Sequence, residues 1–134
     1  MTRRARELPI HVAVLGYLRT VLPDAEVFHC PNGEHRDRRT AAKLKWMGVL
    51  PGVADLIVVL PRGRTLFVEI KAGLGRESAE QVRFAGRVRA LDHDYCVVRS
   101  IDDARLALAA LNIETREAAS PGLASRAHGT GRAA

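Results

Sequence analysis

Asp55 and, fourteen residues later, Glu69-Ile70-Lys71 set two carboxylates and an ammonium inside the most apolar stretches of the chain. That placement constrains the fold more than any other feature, because an ionised group is costly to bury unless it is paired, hydrogen-bonded or bound to a metal. Residues 54–60 and 66–72 each read as a short apolar strand, and the turn-rich segment 61–65 between them reads as a hairpin connection. An antiparallel pairing brings the opening end of the first strand, with Asp55, beside the closing end of the second. Side chains alternate along a strand, so Phe67, Glu69 and Lys71 share one face while Val68 and Ile70 point to the other. The three charged groups are therefore expected to meet at one edge of the sheet.

Such a trio has a chemical use. Mg²⁺ prefers oxygen ligands and is commonly held by one or two carboxylates, with water and phosphate oxygens completing its shell. Asp55 and Glu69 could supply the carboxylates, and Lys71 could hold a nucleophilic water or the phosphate. An Asp/Glu–Lys ion pair bridging two strands accounts for the same residues without a metal. The spacing alone leaves both open.

Hydrophobic periodicity supplies the remaining elements. Ile10, Ala13, Val14, Tyr17, Leu18, Val21 and Leu22 recur at helical spacing, which predicts a helix over 8–22 with Pro9 in its first turn. A short strand over 25–29 leads to a Pro31-Asn32-Gly33 turn, a helix over 40–47 is closed by Gly48, and the two charged strands follow. A helix over 78–91, a strand over 95–98 and a helix over 102–111 complete the order. The fold class is α/β: a small mixed β-sheet flanked by helices, with the strand at Val97 parallel to that of Glu69 through a crossover helix.

A chain of 134 residues with 47% hydrophobic content accommodates one domain with a modest aliphatic core, expected over 1–116. The segment 117–134, rich in Ala, Ser, Gly and Arg, lacks apolar periodicity and is expected to be a disordered tail. Lys and Arg outnumber Asp and Glu by 21 to 15, and the resulting net charge of +6 favours a polyanionic partner. Much of it is clustered: Arg36, Arg38, Arg39, Lys43 and Lys45 face a single opposing Asp37, so that the segment either tracks a phosphate backbone or forms a solvated helix face. Arg3, Arg4 and Arg6 are expected in a disordered basic arm. No segment is long and apolar enough to span a membrane, and a cytoplasmic location is expected, with Cys30 and Cys96 as free thiols.

Several residues carry two readings. Ser78 and Gln81 form a capping-box pair, and Gln81 serves both a cap and a site only if its helix begins at the site. Glu7 and His11 lie one helical turn apart and share a face, from which they either reach a metal site or sit on the solvent side, with His11 more simply structural. His29, Cys30 and His35 hint at zinc, but no fourth ligand stands at a familiar spacing. Gly73-Leu74-Gly75 lacks the longer signatures of a nucleotide-binding loop.

Taken together, the Glu7-Leu8-Pro9-Ile10-His11 segment, Pro31-Asn32-Gly33, Lys43-Leu44-Lys45-Trp46-Met47-Gly48, Pro51-Gly52-Val53-Ala54-Asp55, Phe67-Val68-Glu69-Ile70-Lys71 and Gln81 resemble, in order and spacing, the VRR-NUC group of the PD-(D/E)XK nuclease superfamily. That group includes stand-alone phage and bacterial nucleases and the catalytic domain of the Fanconi-associated nuclease. The resemblance spans most of the chain. It implies a restriction-endonuclease-like core and a Mg²⁺- or Mn²⁺-dependent DNA endonuclease. By the same resemblance Asp55, Glu69 and the Ile70 carbonyl are metal ligands, Lys71 is the catalytic lysine, and Glu7 and Gln81 are accessory. Asn32 and the basic residues from Arg36 to Lys45 would contact DNA, and a homodimer acting on branched DNA such as four-way junctions is implied. Ala54 stands where the family commonly has proline, which leaves φ free there without removing a ligand. The other class compatible with the residues is a non-catalytic nucleic-acid-binding module of a phage or repair assembly.

Overall fold

A computed structural model describes residues 1–31 and 37–117 of the chain. Asn32, His35, Arg36 and the tail from residue 118 onward lie outside the described residues. The elements are α1 (Arg3–Val21), β1 (Glu26–His29), α2 (Arg38–Trp46), β2 (Leu56–Val59), β3 (Thr65–Ile70), α3 (Ala79–Ala90), β4 (Asp94–Val98) and α4 (Ile101–Ala110).

The four strands form one mixed sheet in the order β1-β2-β3-β4. β2 pairs antiparallel with β1 and with β3, and β3 runs parallel to β4 with Glu69 opposite Val97. A short 3₁₀ turn, Pro61–Gly63, makes the β2–β3 connection, closed by the Leu60 N–H donating to the Arg64 carbonyl at 2.8 Å. β2 and β3 are interior strands. Asp55, Glu69 and Lys71 therefore meet where the opening of β2 adjoins the close of β3, as the antiparallel pairing predicts, and β1 and β4 cover both flanks of these two strands.

Alternation along the strands sorts the two faces. Leu56, Val58, Leu66, Val68, Ile70 and Val98 point to one side, where Val14, Leu18 and Val21 of α1 and Ala104 and Leu108 of α4 bury them. Each such side chain removed from water contributes about 1.5–3 kcal/mol. Phe67, Tyr95 and Val97 point to the other side, where Phe84, Ala85 and Val88 of α3 meet them. Phe67 and Phe84 pack edge to face with centroids 5.1 Å apart. Glu69 follows Phe67 on this α3 face, so the acidic side chain ends in a semi-apolar layer and not in solvent.

The start of α1 departs from the sequence expectation. The helix begins at Arg3, capped by the Thr2 side chain accepting from the Ala5 N–H at 3.3 Å. Arg3, Arg4 and Arg6 are helical instead of a loose arm, and Pro9 lies inside the helix, where its missing N–H costs one backbone bond. An Arg3–Glu7 ion pair at 3.2 Å and an Arg3 bond to the Arg76 carbonyl at 2.8 Å hold that first turn against the body. α2 behaves differently: none of its residues is buried, and Trp46 is 88% exposed. Cys30 and Cys96 are free thiols.

Candidate active site

Charged side chains converge where β2 and β3 end, with α1 arriving from one face of the sheet and α3 from the other. Glu69 is 2% exposed and Lys71 1% exposed, the only buried charged residues among those described. Lys71 Nζ lies 3.2 Å from Glu69 Oε1 and donates to Gln81 Oε1 at 2.9 Å. Gln81 Nε2 in turn donates to Glu69 Oε1 at 2.6 Å. The three side chains form a closed ring in which the neutral amide joins the two charges.

Gln81 also caps its helix. Its Oε1 accepts from the Ser78 N–H at 2.8 Å while its own N–H donates to Ser78 Oγ at 3.2 Å. Both sets of bonds coexist because α3 begins beside Glu69 and Lys71, and the capping box sets the rotamer that meets them. The turn before β2 fits closely against this helix start. Gly52 has φ +84°, and a Cβ there would fall 2.4 Å from the Glu80 carbonyl oxygen.

Asp55 lies one residue before β2, and its Oδ2 accepts from the Ile70 N–H at 2.8 Å. This bond ties the two strand ends together and fixes the carboxylate beside Glu69. Burial, and then the charge of Asp55, push the Glu69 pKa up to about 7 against the opposing pull of Lys71. Glu69 Oε2 is buried and hydrogen-bonds to nothing among the described residues. A buried carboxylate oxygen without a donor calls for a cation or a proton. Two carboxylates, one with such an oxygen, suit a hard divalent ion, so the residues present fit Mg²⁺ or Mn²⁺.

Glu7, Asp55, Glu69, Ile70, Lys71 and Gln81 all line one cavity of ≈ 580 Å³. Arg3 and Arg4 line it too. Three arginines at a helix N-terminus oppose the favourable sense of the macrodipole and instead add to its positive field, which draws anions toward the cavity. Of the basic residues expected to contact a polyanion, Arg38, Arg39, Lys43 and Lys45 are exposed on α2, whose chain leads into Pro51 and Gly52 at the cavity wall.

The sequence put His11 on the face of Glu7 and read His29 with Cys30 and His35 as a hint of zinc, but it offered no reason to bring His11 and His29 together. His11 comes from α1 and His29 from the end of β1, and their rings meet edge to face with centroids 4.6 Å apart. One ligand atom from each, with one from Asp55, lie within 4.8 Å of one another. Burial lowers the His11 pKa, as does His29, with Asp55 pulling the other way. His11 was legible only as one turn from Glu7, while the position of His29 depends on a β1–β2 register that a single short strand does not reveal.

Two solved structures superpose on the chain. One, described as a VRR_NUC domain, is 23% identical with a TM-score of 0.56 and aligns over 78% of this chain and 95% of its own. The other, a VRR_NUC domain protein, is 22% identical with a TM-score of 0.61, over 78% and 86% respectively. The chain has the VRR_NUC fold. No family model and no curated protein matches the sequence. The VRR_NUC fold thus emerges from the arrangement of four strands and four helices at an identity too low to show more than fold.

Proposed function

We propose that this protein is a divalent-metal-dependent nuclease that hydrolyses phosphodiester bonds in DNA. The observation that carries the reading is the buried Glu69 carboxylate, with its unpartnered Oε2, set beside Asp55 and Lys71 in one open cavity. In this reading Asp55, Glu69 and the Ile70 carbonyl hold Mg²⁺ or Mn²⁺. When bound, the ion lowers the pKa of a coordinated water and offsets charge developing on the phosphate.

The chain's own residues do the rest. Lys71 has three N–H groups and two partners among the described residues, so it retains a donor for a water or a phosphate oxygen. Gln81 holds that ammonium in place through a rotamer its helix cap has already fixed. Glu7, restrained by Arg3, faces the same cavity and orients water there. Arg3 and Arg4 attract the backbone at the mouth, and Arg38, Arg39, Lys43 and Lys45 track it further out. Asn32 and Arg36, on the segment between β1 and α2, belong to that contact set in this reading. The substrate is branched DNA, four-way junctions above all, cut by a homodimer, since one small site cuts one strand and a two-fold pair presents two. A fold shared with VRR_NUC domain structures supports the chemistry.

The test is cleavage of labelled four-way junction, flap, single-stranded and linear duplex DNA with Mg²⁺, Mn²⁺ or EDTA. Wild-type protein is expected to cut only with metal, and Glu69→Gln and Lys71→Ala each to lose at least two orders of magnitude in rate, roughly what removal of one transition-state interaction costs. Salt-sensitive binding without cutting under either metal would overturn the reading and leave a nucleic-acid-binding module.

A further inference from the structure

The histidine pair beside Asp55 has no part in the chemistry described so far. We infer that His11, His29 and Asp55 form a transition-metal site, suited to Zn²⁺ or Co²⁺ over Mg²⁺, that shares Asp55 with the carboxylate pair. The donor set is two imidazoles and one carboxylate. Imidazole nitrogen suits borderline ions such as Zn²⁺, whereas Mg²⁺ holds to oxygen.

Geometry supports ligation over a chance ring contact. His29 Nδ1 lies 2.7 Å from the Asp55 carbonyl oxygen. A carbonyl oxygen only accepts, so Nδ1 carries the proton, and in the neutral ring Nε2 carries the lone pair. Metal-binding histidines are oriented in this way, by donating the other ring N–H to a backbone carbonyl or carboxylate. The same carbonyl accepts the Cys30 N–H at 3.0 Å, which anchors it to the β1 end. The tautomer and direction of His29 are thus set by the backbone of the residue that supplies the third ligand.

Distances agree. Donors around one ion at about 2.0–2.2 Å stand roughly 3–4.3 Å apart. One ring nitrogen of each histidine and one Asp55 carboxylate oxygen lie within 4.8 Å of one another, on side chains that are not fully buried and so are free to close on an ion. Both histidines line the open cavity, which gives an ion a route in and leaves positions in its shell for water or an anion. The site binds metal whether or not the chain cuts DNA.

The experiment is a titration of chelator-stripped full-length protein with Co²⁺, followed by visible absorption, and with Zn²⁺ and Mg²⁺, followed by calorimetry. The expected result is visible bands of nitrogen-ligated Co²⁺, tight Zn²⁺ binding that excess Mg²⁺ does not displace, and a loss of at least about tenfold in Co²⁺ and Zn²⁺ affinity in His11→Asn and in His29→Asn. Glu69→Gln is expected to retain the Co²⁺ bands. Ring-nitrogen NMR of the wild type adds a measurement independent of variant folding: Zn²⁺ shifts Nε2 of His29 and leaves Nδ1 protonated. Unchanged ring-nitrogen shifts, or equal Co²⁺ affinity in wild type and His29→Asn, would mean an edge-to-face ring pair only and would sink the inference. Failure of DNA cleavage with the Co²⁺ bands intact overturns the nuclease reading alone.

Discussion

Glu69 is the residue on which the site turns, and its protonation makes a measurable statement about the metal-free protein. The folded chain holds the Glu69 proton up to about pH 7, against an ordinary carboxyl value of 4.5, first because burial penalises the anion and then because Asp55 repels it. The folded state therefore binds this proton more tightly than the unfolded state. Its contribution to stability is fully present below about pH 4.5 and is lost as pH rises through about 7. Thermal melts in EDTA are expected to show the wild type losing several degrees between those limits, with a flatter profile in Glu69→Gln; parallel profiles would contradict this. Metal affinity runs the other way and rises across the same window, since the ion competes with the proton. Lys71 is coupled to Glu69. Lys71→Met removes the charge that pulls the Glu69 pKa down, so in urea unfolding it is expected to cost little below about pH 7, where Glu69 holds its proton, and more as pH rises above it, while Glu69→Gln with Lys71→Met recovers much of that loss. Additive losses in the double variant would mean that the two groups do not act as a pair.

Elements place these residues, and one close approach decides how well. Gly52 sits at φ +84° with space for no Cβ, because the turn before β2 abuts the first turn of α3. Gly52→Ala forces the turn off the Glu80 carbonyl and separates Asp55 from the Gln81–Glu69–Lys71 ring. A loss of at least about 2 kcal/mol in stability is expected, and the proposed metal-dependent cleavage is expected to fall further than the fold does. Wild-type cleavage by a folded Gly52→Ala protein would show that the turn does not position Asp55. The same packing explains what the sequence made legible. Alternation over 66–72 put Glu69 and Lys71 on one face, and the capping signal at Ser78 located the start of α3 within one residue. The start of α1 was hidden because Pro9 reads as a first-turn residue, whereas the Thr2 cap and the long-range bond from Arg3 to Arg76 outweigh it. The meeting of His11 and His29 was not legible at all, since it arises from packing a helix over the end of a strand 18 positions away in the chain. Local patterns carry element type and facing; they carry no information on which loop ends touch.

At the scale of the whole molecule, the proposed function asks where a chain of net charge +6 would meet a DNA backbone. Among the described residues, Arg3 and Arg4 line the cavity, and the basic helix α2 leads along the chain into its wall at Pro51 and Gly52. They differ in what else they do. Arg3 pairs with Glu7 and caps a carbonyl of the body, so its loss disturbs the fold as well as the field. α2 buries no side chain, and its Lys43 and Lys45 make no contribution to packing, so Lys43→Gln with Lys45→Gln is expected to leave the melting temperature within a degree or two. Removing one phosphate-neutralising charge lowers the slope of log affinity against log salt by about 0.9, so this variant should reduce it by up to about 1.8 on duplex DNA. Fluorescence anisotropy of a labelled junction between about 50 and 200 mM salt measures that slope. A reduced slope with cleavage retained at low salt assigns α2 to backbone tracking and the cavity to chemistry. An unchanged slope would remove α2 from the interface and leave the arginine-bearing start of α1, with its own macrodipole behind it, as the surface on which the strand is held against Glu69.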